Sequence, residues 1–301
     1  MRVRAILNRD GGTLRTMDME ALRARALEVF EAEGHELDCR VIGSDAVGAE
    51  LETAAAASDV DALMAGGGDG TVSAAAATAY RSGKPLGVLP AGTMNMFARA
   101  LGMPADLDAA LLAIAGGTID HVDIATANGR PFVHQFGVGI HARLVRIRDG
   151  MAYRGRAGKM LASLRAIVAA AIDPPRFEVE LRSAKGTVRR VASGIAVSNN
   201  PLDDGPVPVA ARLDTGRLGV YVADSVTSRE LLNLAFDVMT GGWRANAAVK
   251  EVEVSELVLH FPRRKRGAHA VVDGELIDLE TSVTLEIHPK GLSVIRPGGS
   301  G

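Results

Sequence analysis

The sequence predicts two domains of different class: an N-terminal doubly wound α/β domain over residues 1–120 and a C-terminal antiparallel β-sandwich over 121–296, followed by a flexible tail at 297–301. Three observations carry this. Up to residue 120, short apolar runs alternate with stretches of helical periodicity, the pattern of a parallel sheet covered by helices. Beyond it come many short runs with period-two alternation, as in strands with one buried face. Between the two patterns Gly116-Gly117 offers a hinge.

Each element has its own warrant. Residues 3–7 form a first strand, followed by Asn8-Arg9-Asp10-Gly11-Gly12-Thr13. Over 18–33, Leu22, Ala26, Val29 and Phe30 fall on one helical face, and Gly34 closes the helix. Residues 37–42 are the next strand, and Asp45 stands where it would cap a helix running toward Ala57. Residues 60–65 read as a buried strand, the alanine-rich 72–80 as helix and 85–89 as a fourth strand. Helices at 94–101 and 106–115 complete a Rossmann-like domain, whose ligands bind at the carboxyl ends of the strands. Further on, strands are expected at 132–139, 177–181, 188–198, 218–223, 249–254, 257–261, 270–272, 283–288 and 292–295, with helices at 158–172 and 229–239.

Composition narrows the function. The 301 residues, 47% of them apolar, suffice for two cores, and a net charge of −2 argues against general nucleic-acid affinity. The single cysteine, Cys39, excludes an intramolecular disulfide and fits a reducing compartment as a buried residue. Residues 1–7 run straight into a strand pattern with no signal peptide. The longest apolar stretches, such as 166–172, fall well short of the ~20 residues of a membrane span. A cytoplasmic protein is expected, visiting the inner membrane face if its substrate is a lipid; a homodimer is left open. Seven scattered histidines lack metal-ligand spacing, and no Gly-x-Ser-x-Gly or cysteine nucleophile appears.

The organising stretch is Gly66-Gly67-Gly68-Asp69-Gly70-Thr71-Val72, between a strand and a helix. Glycines let a ligand approach the backbone, and the first N–H groups of a helix carry partial positive charge, so this is a phosphate site. Asp69 would repel a bare phosphate, so it calls for Mg²⁺, a water shell or a proton to be taken, as in nucleotide-dependent phosphoryl transfer. No lysine lies between Gly66 and Arg81, which excludes a Walker loop.

Here the chain resembles the superfamily of diacylglycerol, sphingosine and ceramide kinases. Gly-Gly-Asp-Gly-Thr at 67–71 is their shared motif, carried by NAD kinases too. Leu89-Pro90-Ala91-Gly92-Thr93-Met94-Asn95-Met96-Phe97-Ala98-Arg99 is similar to the lipid kinases' second loop, and Val272-Asp273-Gly274-Glu275 to their Asp-Gly-Glu motif. Asn8 and the glycines after it match an Asn-Pro-x-Ser/Ala-Gly segment without its proline. The resemblance implies ATP and Mg²⁺ in an interdomain cleft and γ-phosphoryl transfer to a lipid hydroxyl, on diacylglycerol or a sphingoid or ceramide lipid. It implies nucleotide contacts from Asn8, Gly66 to Val72, Gly92, Thr93 and Asn95, with Asp69 organising the metal. In family members the base is either the glycine-loop Asp or the C-domain motif. Glu275 is favoured here for its longer reach, with Asp273 as partner: carboxylates two apart on a strand face one side, although Asp-Gly also reads as a hairpin turn.

Departures from the family pattern are Ser73-Ala74 in place of Asn-Glu, Met96 in place of Asp, and Thr215 in place of a metal-binding carboxylate that Asp214 would have to replace. They motivate one rival, a catalytically weakened lipid- or nucleotide-binding protein. An NAD kinase-like enzyme is the other, disfavoured by the second loop. Two basic stretches, 143–165 and Arg263-Arg264-Lys265-Arg266, suit anionic membrane headgroups or are solvated surface.

Overall fold

The structure, a computed structural model, describes residues 1–149, 174–205 and 207–298. It divides into two compact units, Met1–Ile124 with Pro289–Gly301, and Ala125–His288.

In the first unit β1 (Arg2–Asn8), β2 (Glu36–Ile42), β3 (Ala62–Gly67) and β4 (Leu86–Pro90) form a parallel sheet in the order β2-β1-β3-β4. The strands read as continuous apolar runs because both faces are covered. α1 (Met19–Ala32) packs with α5 (Leu107–Ala115), and α2 (Val47–Ala56) with α3 (Asp69–Ser82), so the sheet is doubly wound. Asp18 caps α1 by accepting from the N–H groups of Glu20 and Ala21, and Asp106 caps α5 through Ala109. The cap expected of Asp45 is absent: α2 starts at Val47 from Ala46, with no side-chain cap.

The second unit is antiparallel. Its strands are β6 (Arg130–Phe132), β7 (Gln135–Gly139), β8 (Phe177–Ser183), β9 (Gly186–Ser198), β10 (Leu218–Asp224), β11 (Val249–Val254), β12 (Glu256–His260), β13 (His269–Val272) and β14 (Glu275–Asp278). They pair in the order β14-β13-β7-β9-β8-β12, with β10 also on β9 and β11 on β10. Phe132, Phe136, Ile195, Val197, Leu257 and Leu285 belong to one shared core. Among the described residues two helices lie on this unit, α6 (Ile140–Asp149), which the sequence reading did not anticipate, and α7 (Ser228–Thr240), which it did.

The chain passes between the units inside two strands, β5 (Thr118–Ala127) and β15 (Ser282–Arg296). The expected second domain ran to 296, whereas Pro289 onward falls in the first unit. The reason is packing: Val294 pairs with Leu86 of β4, and Leu292, Val294 and Ile295 are buried. The two strands expected at 283–288 and 292–295 are accordingly one, with Lys290 at φ 54 inside it. The single strand expected at 132–139 is two, broken at Val133-His134. The expected helix at 158–172, the basic residues beyond 149 and the tail from 299 lie outside the described residues.

Candidate active site

Three loops leave the carboxyl ends of β1, β3 and β4 side by side, since Leu7 pairs with Gly66 and Gly67 with Pro90. They touch through the backbone. The N–H of Thr13 donates to Ala91 O at 2.7 Å and that of Ala91 to Gly67 O at 3.0 Å. Glycine is required where they meet: a Cβ on Gly12 (φ +48) would lie 1.9 Å from Ala91 O, and one on Gly92 2.8 Å from Gly68 Cα.

Asp69 opens α3, and its carboxylate accepts from two backbone N–H groups of the neighbouring loop, Asn95 at 3.1 Å and Met96 at 2.7 Å. Those are the leading N–H groups of α4 (Met96–Ala100), so Asp69 is a capping carboxylate supplied from another element. Asn95 sits in the left-handed region at φ 51, its Oδ1 accepting from Gly92 N at 2.7 Å and its Nδ2 donating to Gly92 O at 3.1 Å. On the other side Asn8, buried, donates from Nδ2 to Thr71 Oγ1 at 2.9 Å. Its Oδ1 accepts from Asp10 N and Ser44 Oγ, both at 3.1 Å.

The glycines of β3 and α3 separate into two kinds. Gly66 and Gly67 are explained by packing, since a Cβ there would meet Leu7 Cδ2 at 2.5 Å and Thr71 at 2.7 Å. Gly70 is exposed and a Cβ there meets nothing within 4 Å. No packing demand keeps Gly70 bare at the first turn of α3, a position where a helix leaves N–H groups without an internal partner. Val72 is buried and Thr93 exposed.

The carboxylates of the second unit are placed differently. Asp273 (φ 47) and Gly274 (φ 87) form the two-residue turn between β13 and β14, so the hairpin alternative holds and the same-face strand alternative does not. The Asp273 carboxylate accepts three backbone N–H groups, from Val133, His134 and Gln135, each at 2.9 Å, which is what breaks the strand there. Glu275 has its side chain 71% exposed and pairs with Arg130 Nη2 at 2.6 Å. The two acids thus have separate partners.

For a metal, the described residues contain no group of three or more His, Cys, Asp or Glu that could hold one. Asp69 fits Mg²⁺ bound chiefly by phosphate and water, which needs only one or two carboxylates. Asp214 pairs with Arg212 Nε at 3.1 Å, while Thr215 Oγ1 accepts from Asn200 Nδ2 at 2.7 Å. That donor set does not suggest a second metal. Sequence reading missed Ser44, Asp10 and Arg130, which hold Asn8 and Glu275. Only Asp10, two residues after Asn8 and able to form an Asx turn with it, carried a local signal.

Comparison with known proteins bears on this arrangement. Residues 2–127 match the diacylglycerol kinase catalytic domain. An uncharacterized protein of Synechocystis sp. is 32% identical over 251 residues, 78% of this chain, although the chain spans only about half, 54%, of its length. A protein of Pseudomonas aeruginosa named "Probable lipid kinase YegS-like" is 28% identical over 93% of this chain and 91% of its own. The diacylglycerol kinase of Bacillus subtilis is 34% identical over 47% of this chain and 50% of its own. The crystal structure of a diacylglycerol kinase from Bacillus anthracis str. Sterne shares the fold, with TM-score 0.74 at 18% identity, covering 100% of this chain and 98% of that one. Residues 2–127 thus form a domain of the diacylglycerol kinase catalytic family, and the chain as a whole is similar to proteins named as lipid kinases.

Proposed function

We propose that the protein transfers the γ-phosphate of ATP to the hydroxyl of a lipid such as diacylglycerol or a sphingoid or ceramide lipid, working at a membrane surface. The observation that carries this is the Asp69 clasp: one carboxylate fastens the second glycine loop while Gly70 stays open beside it.

In this reading the phosphates lie over Gly68 to Thr71, against the first N–H groups of α3, with Gly92, Thr93 and Asn95 closing from the second loop. Asn8 acts through Thr71, as a positioning residue. Mg²⁺, held at Asp69, would neutralise charge on the phosphate oxygens. The acceptor oxygen forms its bond to the γ-phosphorus as the bond to the bridging oxygen breaks, ADP leaves, and the hydroxyl proton passes to a carboxylate. We assign that proton to Glu275, the exposed acid of the hairpin, with Asp273 fixing the turn that carries it. Arg130 holds Glu275 until substrate displaces it.

The test is radiolabelled phosphate transfer from ATP onto a total lipid extract, with identification of the labelled product. A phosphorylated lipid supports the reading. Label on NAD, or nucleotide binding without transfer, would replace it with one of the two rivals.

A further inference from the structure

The connection from β9 to β10, residues 199–217, is where the family resemblance implies a structural cation, at the position of Thr215. The structure closes this loop in another way. Ser198 pairs with Gly219 across the two strands, and just inside that pair Asn200 Nδ2 donates to Thr215 Oγ1 at 2.7 Å. Arg217 N donates to the same oxygen at 3.2 Å, and the hydroxyl in turn donates to Arg217 O at 3.3 Å. A hydroxyl has one proton and two lone pairs, so every bonding direction of Thr215 Oγ1 is taken. Two N–H groups point their positive ends where a cation would need the oxygen.

The charges agree. Asp214 is the one acid in residues 210–218, and Arg212 Nε bonds its carboxylate at 3.1 Å. Arg212 and Arg217 against Asp214 leave the segment cationic. Mg²⁺ asks for a near-octahedral set of oxygens at about 2.0–2.1 Å, and this donor set does not offer one. The bond itself is well anchored. Asn200 is 1% exposed, and Leu213 and Leu218, on either side of Thr215, are buried.

We infer that the Asn200–Thr215 bond does the work of a cation in this loop, so that the second unit keeps its fold without Mg²⁺. The amide N–H brings a fixed partial positive charge to the loop oxygen, and being covalently attached to the chain it cannot be removed by a chelator. Nothing in this requires phosphoryl transfer, and a test by melting without nucleotide separates its failure from that of the kinase reading.

Calorimetric melting of the full chain in EDTA and in millimolar MgCl₂, at matched ionic strength, tests it. Wild type should melt within about 1 °C in the two media. Thr215→Val keeps the shape and removes the hydroxyl, leaving the buried Asn200 amide without this acceptor. Its Tm should fall by roughly 3–10 °C, equally in both media. Asn200→Ala should fall similarly, and the double variant should lose less than the sum of the two, as groups in direct contact do. Thr215→Ser retains the hydroxyl and should melt near wild type. A rise of more than about 3 °C with MgCl₂ that survives Asp69→Asn but is lost in Asp214→Asn would place a cation in the loop and overturn the inference. So would a Thr215→Ser variant that melts as low as Thr215→Val, since packing of the methyl group, not the bond, would then hold the loop.

Discussion

Asp69 and Asp273 stand in different units and do the same local work. Each carboxylate is held by backbone N–H groups of a separate segment, two for Asp69 and three for Asp273, and each clasp has one non-glycine residue in the left-handed region, Asn95 at φ 51 and Asp273 itself at φ 47. What differs is the surroundings. Asp69 fastens two loops beside an open glycine, whereas Asp273 fastens a tight turn to a strand break, with the exposed Glu275 next to it. A motif aspartate can thus be structural first, and its chemistry must come from what the clasp leaves open.

The comparison breaks if the two clasps respond alike. Asp273→Ala leaves three backbone N–H groups without their charged acceptor, and hydrogen bonds to charged groups contribute about 1.5–3 kcal/mol each without adding fully. A loss of about 3 kcal/mol or more is expected, lowering Tm by roughly 6–12 °C in calorimetry. Asp69→Asn keeps a carbonyl oxygen for one of its two N–H groups and turns an NH2 toward the other, so a smaller loss of about 1–3 kcal/mol is expected.

The glycines sharpen it next. Gly67→Ala drives a methyl to 2.7 Å from Thr71 and should cost about 1–3 kcal/mol by overpacking. Gly70→Ala meets no neighbour and, inside α3, should be neutral or stabilising by up to about 1 kcal/mol. The same Gly70→Ala should lose ATP affinity, because its methyl stands where the phosphates are proposed to lie. Isothermal titration alongside denaturant melts separates the two glycines; normal ATP binding by Gly70→Ala would remove the cradle.

The smallest effect lies in the core. Burial pushes the Cys39 thiol up to about 11, so at pH 8 almost none is thiolate, the reactive form. Labelling by a thiol reagent at pH 8 should track global unfolding; fast labelling of the native protein would show that β2 opens locally.

Most of the first unit was legible because its signals are local. Periodicity located the strands β1 to β4, and Gly34 marked the end of α1. The Asp45 reading failed because capping depends on where the chain turns, and it turns one residue later. The glycine motif pointed to a phosphate loop, but not to the bonds from Asp69 to Asn95 and Met96, which join positions 26 and 27 apart. The second unit was harder for the same reason. The strand break at Val133 and His134 is set by an acceptor about 140 residues away. The continuity of β15 depends on Val294 finding β4, and α6 begins directly after Gly139.

The central claim is that Asp69 serves the nucleotide while Glu275 takes the proton. ATP affinity and single-turnover phosphate transfer to a lipid acceptor, measured for Asp69→Asn and Glu275→Gln, test it most directly. Glu275→Gln should bind Mg²⁺-ATP normally and transfer about 100-fold or more slowly, and Asp69→Asn should lose affinity as well as rate. Normal transfer by Glu275→Gln, together with normal Mg²⁺-ATP binding but no transfer by Asp69→Asn, would contradict the account and make Asp69 the base.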